Sequence, residues 1–142
     1  MNLVIGDDGT LLEPEFHDGL LMGIILSEEK GDLTLICRRV DGQEFDLVMP
    51  KIDHLRVDNF LQGNVIFEIS IYEGANCPAD RIRWMFDYNE EHARQFLPMH
   101  TREIVDGGWT LLKVVPSYGC ELVALSKAHV DEITVSERYP IR

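Results

Sequence analysis

The chain has 142 residues, 45% of them hydrophobic and 27% charged, and carries a formal net charge of −12. That length suits one domain that can bury roughly 70% of its unfolded surface without a disulfide or a metal. It has no apolar run near the roughly 20 residues that span a bilayer, and its acidity disfavours nucleic acid and anionic membrane, which need basic surfaces.

The opening, MNLVIGDDGTLLEPEF, has neither the basic region nor the long apolar region of a signal peptide, so none is expected. Leu20–Leu26 (LLMGIIL) is an apolar run of strand length, followed by the turn SEEKGD. Leu33–Val40 is the second strand. Asp41-Gly42 is the strongest short hairpin signal in the chain. In QEFDLVM, Phe45, Leu47 and Met49 alternate with Glu44 and Asp46, and Pro50 ends that strand or marks its edge. KIDHLRVDNF reads as a weaker strand with Leu55 and Val57 inward. VIFEISIYEG reads as another, with Phe67, Ile69 and Ile71 on one face and Glu68 on the other. Five strands joined by short turns predict an antiparallel meander with one buried face.

The period then changes. Over CPADRIRWMFDYNEEHARQFLP, Ile82, Met85, Phe86, Ala93 and Phe96 form a stripe at helical spacing, with Pro78 at the start. Alternation of Ile82, Trp84, Phe86 and Tyr88 also fits a strand. The helix is favoured, broken near Asp87, recapped by Asn89 and ended by Pro98. WTLLKVV and CELVALS, around the turn PSYG, read as a hairpin, and VDEITV (Val130–Val135) as a final strand. The expected architecture is therefore α+β: an antiparallel β-meander sheet or half-barrel with one or two helices packed on one face. One domain is expected over 1–142, with the meander at about 20–72, the helical part at about 78–105 and the hairpin plus final strand at about 109–136. Leu33, Leu35, Phe45, Leu47, Leu55, Val57, Phe67, Ile69 and Ile71 are the expected inner face, extended by Trp109, Leu111 and Leu122.

Few residues suggest chemistry. Cys37, Cys77 and Cys120 are isolated, with no CxxC pair. They fit a reducing compartment and a cytoplasmic location. Cys120 has no neighbouring His or Lys that would lower its pKa. Adjacent His17 and Asp18 suggest a general base or a metal ligand, and His54, flanked by Asp53 and Asp58, could reach them across the sheet. Neighbours in an extended chain point to opposite faces, however, and no HxH or HExxH spacing is present. The bland reading is that Asp18 caps a turn and His17 makes a structural hydrogen bond. No catalytic residue, metal ligand or cofactor is therefore assigned, and the chain leans away from enzymes. His100 with Arg102 near a helix end suggests dipole compensation.

Phe16-His17-Asp18, followed by Leu20, Ile24 and strand after strand, resembles the opening of small uncharacterised bacterial proteins, including some immunity proteins of toxin systems. The resemblance covers the first half of the chain. It implies a bacterial cytosolic protein, with no catalytic residues to carry over.

Residues 1–77 hold five Lys/Arg against fifteen Asp/Glu, a balance of −10, while residues 78–142 are near neutral at −2. A concentrated negative field attracts basic partners. The leading expectation is a non-enzymatic interaction domain whose outward Glu44, Asp46, Asp58 and Glu68 form an acidic face for a basic protein, immunity-like in form. The alternatives are a small-molecule enzyme or metal site at His17, Asp18 and His54, and self-association through the edge strand VDEITV.

Overall fold

The computed structural model describes residues 2–138. The strands are β1 (Val4–Ile5), β2 (Leu11–Glu13), β3 (Leu20–Ser27), β4 (Asp32–Arg38), β5 (Glu44–Met49), β6 (Ile52–Asp58), β7 (Asn64–Glu73), β8 (Thr110–Tyr118), β9 (Glu121–Ser126) and β10 (Thr134–Arg138). Between β7 and β8 come α1 (Ala79–Phe86) and α2 (Glu90–Gly107). β1 and β2 form a small hairpin. The other eight strands form one antiparallel sheet in the order β10-β5-β4-β3-β7-β8-β9-β6. The α+β class and the half-barrel with helices on one side are as the hydrophobic pattern predicts. Among the described residues, no helix is long and apolar enough to cross a membrane.

The sheet is curled by its own connectivity. Only Pro50 and Lys51 separate β5 from β6, yet β5 is second in the order and β6 is last. The two ends of the sheet must therefore approach each other. Backbone bonds fix that approach: Ile52 donates to the carbonyl of Gly31 and Lys127 to that of Lys51. β3 and β7 pair only through Leu20–Val65 and Leu21–Asn64. This two-residue corner divides the sheet into two four-stranded halves that face each other. Leu33, Leu35, Phe45 and Leu47 from one half meet Ile69, Ile71, Leu112 and Leu122 from the other, all buried.

Several expectations need correction. β6 does not continue the meander but pairs with β9. Pro50 brings no N–H to a ladder, and Lys51 takes a left-handed conformation (φ 54°) that swings the chain out of the first half. Phe67 is 48% exposed and Ile66 is buried in its place, because register shifts at Ile66 and again before Glu68 insert an extra residue and reverse the parity of β7. Leu111 is buried under the helices, not inside the half-barrel, and Trp109 is half-buried beside it. The last strand begins at Thr134, because Val130–Glu132 is a 3₁₀ turn in which the Glu132 carboxylate caps the His129 amide.

Residues 81–86 resolve as helix and 87–88 as the link to α2, and the break falls where the sequence places it. Asp87 is left-handed (φ 52°), and the Asn89 side chain accepts from the His92 amide. Pro98, however, lies inside α2 and does not end it. Pro98 and Arg94, whose carbonyl loses its N–H partner, both face solvent, where water can satisfy the carbonyl. The helix stops instead at Gly108 (φ 61°), whose amide reaches back to Ile104 and Val105. Ile82, Met85 and Ile104 pack on Leu111, Val123 and Leu125, so β8 and β9 are buried on both faces.

Candidate functional site

Phe16 to Gly19 forms a tight turn stapled to the bulged part of β7. The Gly19 amide donates to the Phe16 carbonyl, the Asp18 amide to that of Ile66 (2.8 Å), and the Ile66 amide to that of Gly19 (2.9 Å). Phe16 is buried and meets Phe45 edge-on. His17 and Asp18 form the exposed tip. Asp18 is left-handed (φ 62°), so the alternation expected of an extended chain does not apply, and its carboxylate lies 3.5 Å from His17 Nε2. His17 Nδ1 donates to the Phe67 carbonyl at 2.7 Å, and its ring stands edge-on to Phe67. That carbonyl, then the charges of Asp18, Glu15 and Glu68, raises the His17 pKa above the ordinary histidine value.

His54 belongs to a different neighbourhood. Its ring lies 4.4 Å from Phe86, and His100 flanks the same Phe86 ring at 4.5 Å. The Tyr88 hydroxyl is hydrogen-bonded to His100 Nδ1 at 2.6 Å. Two strands, β8 and β9, separate β6 from β7, roughly 14 Å around the sheet. The structure thus brings His17 and Asp18 together and ties His54 to the helices. The recurrence of aromatic and His residues between Trp84 and His100 was the available signal for that second cluster, but nothing in the sequence tied it to His54.

The four outward carboxylates do not form one face. Glu44 pairs with Arg38 (2.8 Å), Asp46 lies 3.0 Å from Arg138 Nε, Asp58 pairs with Arg56 (3.2 Å), and Glu68 accepts from the Thr10 hydroxyl (3.3 Å). They sit on β5, β6 and β7, which lie far apart in the strand order. Cross-strand register supplies one cause: Arg38 and Arg138 are both Cα partners of Glu44.

Elsewhere, burial pushes the Cys37 thiol up to about 12 and those of Cys77 and Cys120 to about 11, so all three are protonated at neutral pH. A cleft of about 400 Å³ lies between the β1–β2 turn and β7, lined in part by Asp7, Asp8, Tyr72 and Glu73. Two of its carboxylates have structural work: Asp8 accepts the Thr10 amide and Glu73 the Val130 amide.

The sheet has three open edges among the described residues. β10 and β6 are the outer strands. The third is β3 beyond the corner, where Met22 is bulged and Gly23–Ser27 pair with β4 on one side only. β6 carries Asp53, Arg56 and Asp58, and β10 carries Glu137 and Arg138, as protected edges do. Met22–Ser27 carry no charge. Met22, Ile25 and Leu26 are 41–52% exposed. In the sequence this run shows only as an apolar segment of strand length, since a missing neighbour leaves no trace in a strand's own residues.

Comparison with known proteins gave no match: no family model, curated protein or solved structure aligns with this chain.

Proposed function

We propose that the chain is a non-enzymatic interaction domain with an acidic surface, and that its partner is a basic protein. The observation that carries this reading is the way the chain uses its own cations. Arg38, Arg39, Lys51, Arg56, Arg81, Lys127 and Arg138 each lie within ion-pair distance of a carboxylate of the same chain. Arg56 and Arg81 also lie over Trp84, and Lys113 over Tyr72. These seven cations are taken up internally, while Lys30, Arg83, Arg94 and Arg102 are exposed, and the more numerous surplus acids, including exposed Glu15, Glu28, Glu29, Glu90 and Glu91, set the sign of the outer field. Such a field steers and selects basic proteins. An immunity-like role, shielding a basic toxin, is one form of this reading. The separation of His54 from His17 and Asp18 counts against the three acting as one site.

The test is sedimentation velocity with cytochrome c as a basic probe and an acidic protein of similar size as control, at low and at physiological ionic strength. The reading expects a complex with the basic probe alone, weakened by salt. No complex with the basic probe at low salt would refute it.

A further inference from the structure

We infer that the open edge of β3, Met22–Ser27, is a docking strand for an extended apolar segment of a basic partner, which adds to the sheet as a ninth strand with a Lys or Arg beside Glu28 and Glu29. This rests on the reading above and locates its contact surface.

Three independent features converge on this edge. The first is unspent hydrogen bonding. Every residue from Gly23 to Ser27 has a Cα partner on β4, but the pairing to β7 ends at Leu21. Alternate N–H and C=O groups beyond the corner therefore point away from the sheet, as strand addition requires. The second is exposed apolar area. Ile25 is 52% and Leu26 46% exposed, and Phe60 and Leu61 add to them from the loop before β7. That loop is held against this end of β3: Asn64 Nδ2 donates to the carbonyls of both Leu21 and Leu61. The third is charge. At the far end, Glu28 and Glu29 are exposed and in no ion pair among the described residues, and with Lys30 and Asp32 the turn carries a net −2. An apolar strand ending at an acidic turn is complementary to an apolar segment ending in a cation. It is a poorer match to a second copy of this chain, whose net charge is also −12.

The experiment is an NMR titration of the whole chain with two synthetic peptides. One alternates Val and Thr and ends in two Lys, and the other has two Glu in their place. The proposal expects the Lys peptide to slow hydrogen exchange and move the amides of Met22–Ser27, and to bind more tightly than the Glu peptide. Ile25→Lys, at an exposed position that leaves the core untouched, should weaken the Lys peptide more than tenfold. Glu28→Gln with Glu29→Gln should weaken it roughly three- to tenfold, the range of two exposed ion pairs. Equal binding of both peptides overturns the charge assignment. Protection of Met22–Ser27 that appears without peptide and grows with protein concentration assigns the edge to a second copy and overturns the proposal. Lys-peptide binding that leaves Met22–Ser27 unmoved overturns the docking strand while leaving a basic partner in place. A Lys peptide that does not bind, together with a basic probe protein that forms no complex, removes both.

Discussion

Asn64 is the clasp of the fold, and its removal should cost far more than its size suggests. The residue is 2% exposed and sits at the corner where the two halves of the sheet meet. Its Oδ1 accepts from the amides of Leu61 (2.8 Å) and Cys120 (3.0 Å), and its Nδ2 donates to the carbonyls of Leu61 (2.6 Å) and Leu21 (3.3 Å). One side chain thus joins β3, the loop before β7 and the β8–β9 turn. Asn64→Ala strands the buried Cys120 amide and the Leu21 carbonyl, at about 1–3 kcal/mol each. The two bonds to Leu61 lie nearer solvent, where water can replace them, and contribute less. The sum is about 2–6 kcal/mol, against the roughly 5–15 kcal/mol that holds an ordinary domain together. Asn64→Asp should be no better at neutral pH, because a buried carboxylate keeps both acceptor contacts but turns its other oxygen toward two carbonyls. Urea unfolding followed by circular dichroism measures both variants. A loss below about 1 kcal/mol for the alanine variant would refute the clasp.

Gly119 tests the same corner from the other side. It sits at φ 87°, and a Cβ there would collide with Asn64 Oδ1, so Gly119→Ala should cost about 1–3 kcal/mol. Because that collision disappears with the Asn64 side chain, the double variant should lose less than the two singles together, and simple additivity would argue against the contact. His17 should titrate above the ordinary histidine value by ring-proton NMR, and Asp18→Asn should lower its midpoint. A raised folded pKa stabilises the chain below the unfolded value, and the benefit fades as pH rises through the folded one. A midpoint at or below the ordinary value would exclude the Phe67 carbonyl as acceptor. The thiols, held up at about 11 to 12, should resist an aromatic disulfide reagent at pH 8 until the chain is unfolded, when all three react. Fast reaction of native Cys37 would contradict its burial.

Local rules made much of the fold legible. Phe45, Leu47 and Met49 are all fully buried, as their alternation requires, and Asp87 and Asn89 break and restart the helical segment. The failures share one cause, which is that partners in space set the outcome. Phe67 fits the alternation of Ile69 and Ile71, and only the pairing with β8, where one residue is extra, turns it outward. Pro98 is a stop signal that a solvent-facing turn of helix can absorb. Glu44 and Asp46 alternate outward as expected, but whether they are free or paired depends on Arg38 and Arg138, which lie on neighbouring strands. His54 and His17 look like one site in a meander. They part because β6 is carried to the far edge by two residues, Pro50 and Lys51.

The same excursion accounts for the exposed edge. A sheet whose second and last strands are joined by two residues must curl, and β3 and β7 can then share only a short corner before they diverge. The helices cannot repair the gap, because their apolar faces are spent on Leu111, Val123 and Leu125 on the outside of the other half. What remains beyond the corner is a strand with one unfilled side. On β6 and β10 the chain places charges along such a side. On β3 it places Ile25 and Leu26, and keeps Glu28 and Glu29 for the turn that follows. An edge that only needed protection could take a lysine at Ile25, which is already half in solvent, at little cost to the core. Geometry leaves the edge open, but it does not dictate that the residues there be apolar, and their character is what points to a strand from another chain.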